Sequence, residues 1–543
     1  MRGCIYTQPT ISESMTEEIR VYYGLQTDIT EEKSLLECLC GGFDLALIPI
    51  NAAMKLQNSD VAKNCVVEVT SEAGGFWENV QRAIQSSACK YFCIDILEDV
   101  YNMPAADVKR YINNLLTVIG PEKKISLQLA LEGGRNDWHY WKNIQCDGLG
   151  VILNLRGVVG EYEVSRWQVE PVVGVIISEK IMESNDPRPI LYMREVVGKL
   201  VSRRPPPAIF LSAKKESAFL LMKHLKQFAG SAKVEPYDDV LIEPLQPLRD
   251  NLDISVYEIF EEDSVKYRQY EHAMLEAISD IPKSQISVLV IGPGRGPLIE
   301  RLQSVSRGNP HEILVDAVEK NPKCLEILKH KNETMWSYNV NIYYKDARSC
   351  TKRNYDIIVS ELIGSFGCNE LAPEILSSFK RKNTIMIPES ITNYVRPIYS
   401  KAICNLSGKQ LQRPYLIKLL EFYPVSRFAQ AWKFLFPDTE SVDTSRYHEV
   451  HFHANHASHI NGFEGVFCAT LYKRIMIGIH PTLRVGCCKS WFPMIFPVKE
   501  AIVPLGLNFK FCIQRSIKEH VWYEWSFDDR VYNINGYAFR IEL

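Results

Sequence analysis

The chain has no CxxC pair: its 15 cysteines are odd in number and scattered. Such spacing suggests neither a disulfide framework nor a zinc site, so reduced thiols in cytosol or nucleus are expected. Long apolar runs are missing as well. VVGVIIS, Val172 to Ser178, is far shorter than the roughly 20 residues that span a bilayer. The amino terminus, MRGCIYTQPTISESMTEE, lacks the basic-then-apolar layout of a secretory signal, and a soluble protein is expected. There is no excess charge of one sign: 62 basic against 65 acidic residues leave −3, which gives no global field for a nucleic acid or an anionic membrane. Internal repeats and low-complexity segments are not found. What remains is ordinary globular composition, 46% hydrophobic and 23% charged, in 543 residues. That length exceeds one core, so roughly two to four domains are expected.

Up to about residue 235, short β-rich runs alternate with helical stretches: Ile19–Leu25, Phe43–Ile50, Cys65–Val69, Tyr91–Leu97, Ile125–Leu131, Leu149–Leu155, Val172–Ser178 and Ala208–Leu211. Eight such runs fit a TIM-type (β/α)8 barrel over residues 1–235. Their ends carry no convergent set of acids, histidines and glycines, so a scaffolding or partner-binding barrel is expected rather than a catalytic one. SRRPPPAIF forces an extended segment before the last strand, and VEPYDDVLIEPLQPLRDNL reads as the linker out of the barrel. Residues 236–388 then read as this linker and a doubly wound, Rossmann-like domain, entered through helical periodicity from Tyr257 to Ile278. From residue 389 to 543 short alternating strands predict a β-barrel or sandwich.

ISVLVIGPGRGPLIERL supplies strand, glycine turn and helix, with Gly292, Gly294 and Gly296 letting backbone approach a ligand. The dinucleotide fingerprint is G-x-G-x-x-G, whereas the third glycine here comes one residue early and Pro297 holds the fingerprint's last glycine position. S-adenosylmethionine fits better than NAD. The next strand ends in Glu319, where an acid can accept both ribose hydroxyls, and the following one runs into Lys345-Asp346, where Asp346 can accept from an adenine amino group or cap a helix. Lys266 and Tyr267, on the preceding helix, can help hold the cofactor, although a surface position is the default reading of Lys266. Tyr257 covers the site or fills core.

In SELIGSFGCNELAPE, a buried strand delivers Glu361 to the same sheet edge and a glycine turn folds Glu370 back toward it. Two close carboxylates repel unless a cation or a shared proton lies between them. A substrate guanidinium, planar and permanently charged, is the best candidate cation, and Glu374 after Pro373 reads as a helix-start acid. One glutamate, or water through it, can take the proton lost on methyl transfer.

IGPGRGPL, AVEKNP, SELIGSFGCNELAPE, PLQPLRDNLDISVYEIFEEDSVKYRQYEHAM and SWFPMIFPVKEAI together resemble the type II protein arginine methyltransferases, which form monomethyl and symmetric dimethyl arginine. The resemblance is strong from about Pro236 onward and order-preserving over the barrel. It implies that Glu361 and Glu370 grip the arginine. It also implies that Tyr257, Lys266, Tyr267, Gly292, Gly294, Glu319, Asp346 and Ala347 bind S-adenosylmethionine. Phe260 matches the phenylalanine tied to symmetric product and Trp491 an aromatic opposite it; Tyr237 and Leu245 are implied in substrate binding. Histones and splicing proteins are the implied substrate classes. A homo-oligomer in cytoplasm and nucleus is implied as well, and a WD-repeat adaptor on the barrel only if the shorter amino-terminal region still binds one.

Two positions depart from the family: Lys489 where an aromatic is usual and Ala347 where methionine is familiar. A second class of function is an inactive methyltransferase-fold scaffold, which intact Glu361, Glu370, Glu319 and the glycine turn argue against. A small-molecule methyltransferase or NAD enzyme is disfavoured by the glycine spacing. YHEVHFHANHASHING places His451 and His453 on one strand face among His448, His456 and His459, but an ordinary strand and loop, not a metal site, is expected.

Overall fold

The computed structural model describes residues 237–307, 310–350, 354–379, 383–438 and 443–543 continuously, and before them the barrel strands and the helices named below with some adjoining residues. The chain forms two compact units, Met1–Asp238 with Leu420–Tyr423, and Asp239–Leu419 with Pro424–Leu543.

In the first unit eight strands close a barrel: β1 (Tyr23–Gln26), β2 (Leu45–Pro49), β3 (Cys65–Val69), β4 (Tyr91–Asp95), β5 (Lys124–Leu131), β6 (Leu149–Leu155), β7 (Val172–Ser178) and β8 (Ala208–Ser212). Every neighbouring pair is parallel, and β8 returns to β1. Parallel strands covered on both faces read as nearly continuous apolar runs, which is why the pattern was legible. Leu47, Val66, Cys93, Ile152, Ile176 and Phe210 form one buried cluster of this unit. Helices α1 (Phe76–Ser86), α2 (Ala105–Ile119), α3 (Asp137–Ile144) and α4 (Glu161–Trp167) lie between strands. Of the expected first strand, Tyr23 to Leu25 falls in β1; the residues before Tyr23, like Ser202 to Pro205 of SRRPPPAIF, lie outside the described residues.

The second unit opens with α5 (Ile254–Glu261) and α6 (Ser264–Ser279). The single periodic stretch expected from Tyr257 to Ile278 is thus two helices, broken where the Asp263 carboxylate caps the Lys266 N–H at 3.3 Å. Tyr270, Ala273, Met274, Ala277 and Ile278 bury one stripe of α6. A five-stranded parallel sheet follows, of β9 (Gln285–Ile291), β10 (Glu312–Glu319), β11 (Val340–Tyr344), β12 (Ile357–Ser360) and β13 (Ile385–Ile387), in the order β11-β10-β9-β12-β13. The order reverses at β9, and the carboxyl ends flanking that reversal are where open α/β sheets hold ligands. Helices α7 (Pro297–Ser306), α8 (Pro322–Thr334) and α9 (Ala372–Leu376) complete this part.

The carboxy-terminal strands form two antiparallel sheets, one built on Ser390–Ser400, Ser458–Tyr472 and Met494–Val503, the other on Arg446–His453, Asn508–Ile517 and His520–Phe527. Phe463 stacks on Phe511 with ring centroids 3.8 Å apart. No helix among the described residues is long and apolar enough to cross a membrane.

Candidate active site

The acid loop is clamped between the two parts of the second unit. Tyr270 Oη donates to the Ser360 carbonyl at 2.8 Å where β12 ends, fixing the root of Glu361. The turn closes with Gly367 N donating to Gly364 O at 2.7 Å, and Asn369 Oδ1 accepts from Phe366 N at 2.7 Å. Phe366 is fully buried, its ring 5.2 Å from Phe496 and 5.8 Å from Tyr523 in the carboxy-terminal part. A Cβ on Gly465 would stand 2.7 Å from that ring, so only glycine makes room for it. Beyond the turn, Glu374 does sit in the first turn of α9, yet its role is larger than the helix-start acid expected. Arg515, fully buried, grips both its oxygens at 2.8 and 2.7 Å and also donates to the Thr444 and Cys368 carbonyls. Glu370 lies between Cys368 and Glu374, so this fork holds both ends of its segment.

Glu361 and Glu370 line one cavity together with Phe260, Tyr267 and Trp491. The position of Lys266 departs from the surface reading. Its side chain is completely buried, and Nζ donates to Glu361 Oε1 at 2.8 Å. The ammonium lies 4.8 Å from the Tyr267 ring centroid, 4.9 Å from Trp491 and 5.4 Å from Phe260. Tyr267 Oη donates to Glu361 Oε2 at 3.3 Å. Glu361 therefore already has its cation. Half-buried Glu370 makes no hydrogen bond or ion pair among the described residues; burial first, then the charge of Glu361, push its carboxyl up to about 8, with Lys266 pulling the other way.

The remaining wall comes from the ends of β9, β10 and β11. Gly292, Gly294 and Gly296 have φ of 63°, 56° and 100°, a left-handed run that aims the turn into α7. A Cβ on Gly294 would come within 2.9 Å of the Tyr257 ring, which packs over the turn. Glu319 accepts from Gly294 N at 2.9 Å, Lys320 N at 2.8 Å and Asn321 N at 2.7 Å, so the acid braces the glycine turn as well as facing the cavity. Burial raises its carboxyl, opposed by these three backbone donors. Asp346 caps the short turn that begins at Ala347 and is forked by Arg348 at 2.9 and 2.7 Å, which holds its carboxyl below the usual range; it is a cap and also part of the cavity wall.

Two implied substrate residues are not brought here. Tyr237 and Leu245 are 42% and 36% exposed and line no part of this cavity, whereas Pro247, Leu248 and Leu252 of the same linker do. Three contributors, Asp263, Asn321 and Arg515, escaped sequence reading. Asp263 accepts from Lys489 N at 2.6 Å and Ser490 N at 3.0 Å, tying the segment before Trp491 to α6. Lys489, the departure from the family's aromatic, is thereby held through its backbone. Trp491 Nε1 donates to Ile363 O at 2.9 Å, which orients its ring on the acid loop. Asn321, which caps α8, reaches Tyr257 Oη at 3.3 Å. Only Asp263 left a signal, as the cap of EEDSVKY; Arg515 and Asn321 meet their partners through the fold. Of the histidine segment, His451 pairs with Glu449 at 3.2 Å, His453 meets Asn508 at 2.8 Å and His459 meets Glu500 at 2.6 Å.

A parallel sheet with a glycine turn after its first strand, acids ending the next two, and a double-acid loop after the fourth defines an S-adenosylmethionine-dependent methyltransferase, and the cavity's residues fit that cofactor. The glycine turn leaves no side chain at the β9 end, Glu319 is acidic where a diol would be held, and the Lys266 ammonium and Tyr267 phenol are donors that suit the carboxylate of the cofactor's amino-acid end. Residues 229–390 match the family profile described as PRMT5 arginine-N-methyltransferase, and residues 390–541 the one described as PRMT5 oligomerisation domain. Protein arginine N-methyltransferase skb1 of Schizosaccharomyces pombe is 30% identical over 487 residues, covering 77% of this chain and 78% of that protein. Protein arginine N-methyltransferase 5 of Xenopus laevis is 34% identical over 335 residues, 56% of this chain and 53% of that protein. The Drosophila melanogaster protein of the same name is 29% identical over 447 residues, 76% of this chain and 73% of that protein. The chain belongs to the protein arginine N-methyltransferase 5 family.

Proposed function

We propose that this chain methylates arginine in proteins with S-adenosylmethionine as donor, giving monomethyl and then symmetric dimethyl arginine. When bound, the cofactor supplies a methyl group on a sulfonium. The observation that carries the reading is the convergence of Glu361, Glu370, Phe260 and Trp491 on one cavity beside the glycine turn. Gly292, Gly294, Glu319, Asp346 and Ala347 would hold the cofactor's nucleoside, with Tyr257 over the turn and Lys266 and Tyr267 toward its amino-acid end.

Two carboxylates on a guanidinium draw its positive charge toward the nitrogens they bind and leave the remaining nitrogen a better nucleophile. Ring faces around it add cation–π attraction, about 0.5–2 kcal/mol each, and restrict which nitrogen faces the methyl group. Phe260 would thereby set symmetric product. Glu370, with its carboxyl raised to about 8, would release its proton to solvent as the guanidinium cation arrives, and its carboxylate would then be positioned to take the guanidinium proton at the end of transfer. Arginines in glycine-rich segments of histones and splicing proteins are the substrates proposed, a homo-oligomer through residues 390–541 the assembly, and a WD-repeat protein on the barrel the adaptor. Cytoplasm and nucleus are the proposed compartments.

Incubation with labelled S-adenosylmethionine and a Gly-Arg-rich peptide, followed by separation of monomethyl, symmetric and asymmetric products, tests the proposal. Symmetric product is expected. No turnover, with or without such an adaptor, would favour the inactive scaffold.

A further inference from the structure

We propose that Lys266 is a resident occupant of the arginine cage: it holds Glu361 as arginine would, and yields it only when its ammonium turns to the cofactor's carboxylate. The proposal rests on the arginine reading above and adds an order of binding to it.

The cage prepared for a guanidinium consists of two acids and the faces of Phe260 and Trp491. Lys266 Nζ already satisfies half of that description, 2.8 Å from Glu361 and within 5.4 Å of both ring centroids. It has three donors, and Glu361 is its only hydrogen-bonded partner among the described residues. The other two N–H groups therefore have only the faces of Phe260, Tyr267 and Trp491 around them, although the side chain is completely buried. A buried ammonium with two donors unmatched gains from a second anion. Glu370 does not provide it, because burial and the charge of Glu361 keep its carboxyl largely protonated near neutral pH.

The cofactor's carboxylate is an anion that would come to the Lys266 and Tyr267 end of the cavity. Lys266 that shifts toward it leaves Glu361 Oε1 and the space between the two rings free for a cation, and an arginine arriving there restores the neutralised carboxylate. Without that anion, arginine and Lys266 compete for one acid and one pair of rings. Cofactor and arginine are then coupled positively, by a factor that coupling between neighbouring sites ordinarily reaches, about tenfold.

Calorimetric binding of a Gly-Arg-rich peptide to the full chain tests this without turnover. S-adenosylhomocysteine keeps the carboxylate, whereas methylthioadenosine keeps the nucleoside and thioether and lacks it. About tenfold tighter peptide binding is expected with S-adenosylhomocysteine than with methylthioadenosine or with no cofactor. In Lys266→Met, which keeps the apolar stem, binding without cofactor should tighten and lose its dependence on S-adenosylhomocysteine. Equal affinity in all three states of the natural chain overturns the Lys266 proposal while leaving arginine recognition intact. Absence of binding in every state overturns both.

Discussion

At the scale of residues, Glu370 is the group whose environment says most. Its carboxyl is raised to about 8 from an ordinary 4.5. Below pH 4.5 it is neutral whether the chain is folded or not and has no effect on stability. Between pH 4.5 and about 8 the folded state binds the extra proton, so stability falls as pH rises, and above 8 the full cost of a half-buried charge beside Glu361 is present. Glu370→Gln should therefore raise the melting temperature more at pH 9 than at pH 5.5, measured on the protein without ligands. The same substitution should abolish methyl transfer while S-adenosylmethionine still binds, checked by calorimetry beside the product assay; retained transfer would remove Glu370 from the guanidinium. Both glutamates and the three turn glycines were legible in the sequence, because strand, turn and acid are contiguous there. The partner of Glu361 was not, since Lys266 is 95 residues away in the chain and nothing local marks a buried lysine.

At the scale of elements, the break between α5 and α6 matters because each side of it feeds the site. Phe260, near the end of α5, lines the cavity, and Lys266, six residues on at the start of α6, brings its ammonium within 5.4 Å of that ring. Phe260→Met, which replaces a flat ring by a flexible chain, should admit asymmetric dimethyl arginine among the products, read by chromatography; an unchanged profile would count against the role given to the ring. Asp263 at the break serves two segments. Asp263→Ala should cost about 1 kcal/mol in urea unfolding from the lost cap. It should also raise KM for an arginine peptide more than it lowers kcat, because Lys489 and Ser490 lose the acceptor that holds Trp491 in place. The sequence showed helical periodicity through this break, with Asp263 in EEDSVKY as the one local sign of it, since the apolar stripe of α6 continues the rhythm of α5 closely enough to read as one.

At the scale of the whole molecule, the methyltransferase part does not build its site alone. Arg515 comes from the carboxy-terminal strand Asn508–Ile517 and Trp491 from the segment leading into Met494–Val503, and each is fixed on the acid loop or on α9. The Arg515–Glu374 pair is almost wholly enclosed, with side chains 0% and 7% exposed. Removing one partner of such a pair strands a buried charge. Arg515→Met should destabilise the protein by about 3–5 kcal/mol in urea, and Arg515→Met with Glu374→Leu should recover most of that loss. Failure of the double variant to recover would mean that the Cys368 and Thr444 carbonyls, not Glu374, are what Arg515 chiefly satisfies.

The sequence by itself determined the elements and their chemistry. Periodicities of two and of 3.6 residues carry strands and helices, glycine spacing carries a turn that admits a ligand, and the acids after consecutive strands fall at one edge of a parallel sheet by the rules of that sheet. The family followed from the same contiguous motifs. Tertiary structure alone decided which distant side chains meet: Lys266 with Glu361, Arg515 with Glu374, Asp263 with the backbone before Trp491, and Tyr237 and Leu245 away from the cavity. Hydrogen bonds and ion pairs of this kind are set by packing across dozens to hundreds of residues, and a buried lysine or arginine leaves the same letter in the sequence as a solvated one. The two glutamates of the loop were readable as a pair in need of a cation; that the fold already supplies one, from the helix before the sheet, was not.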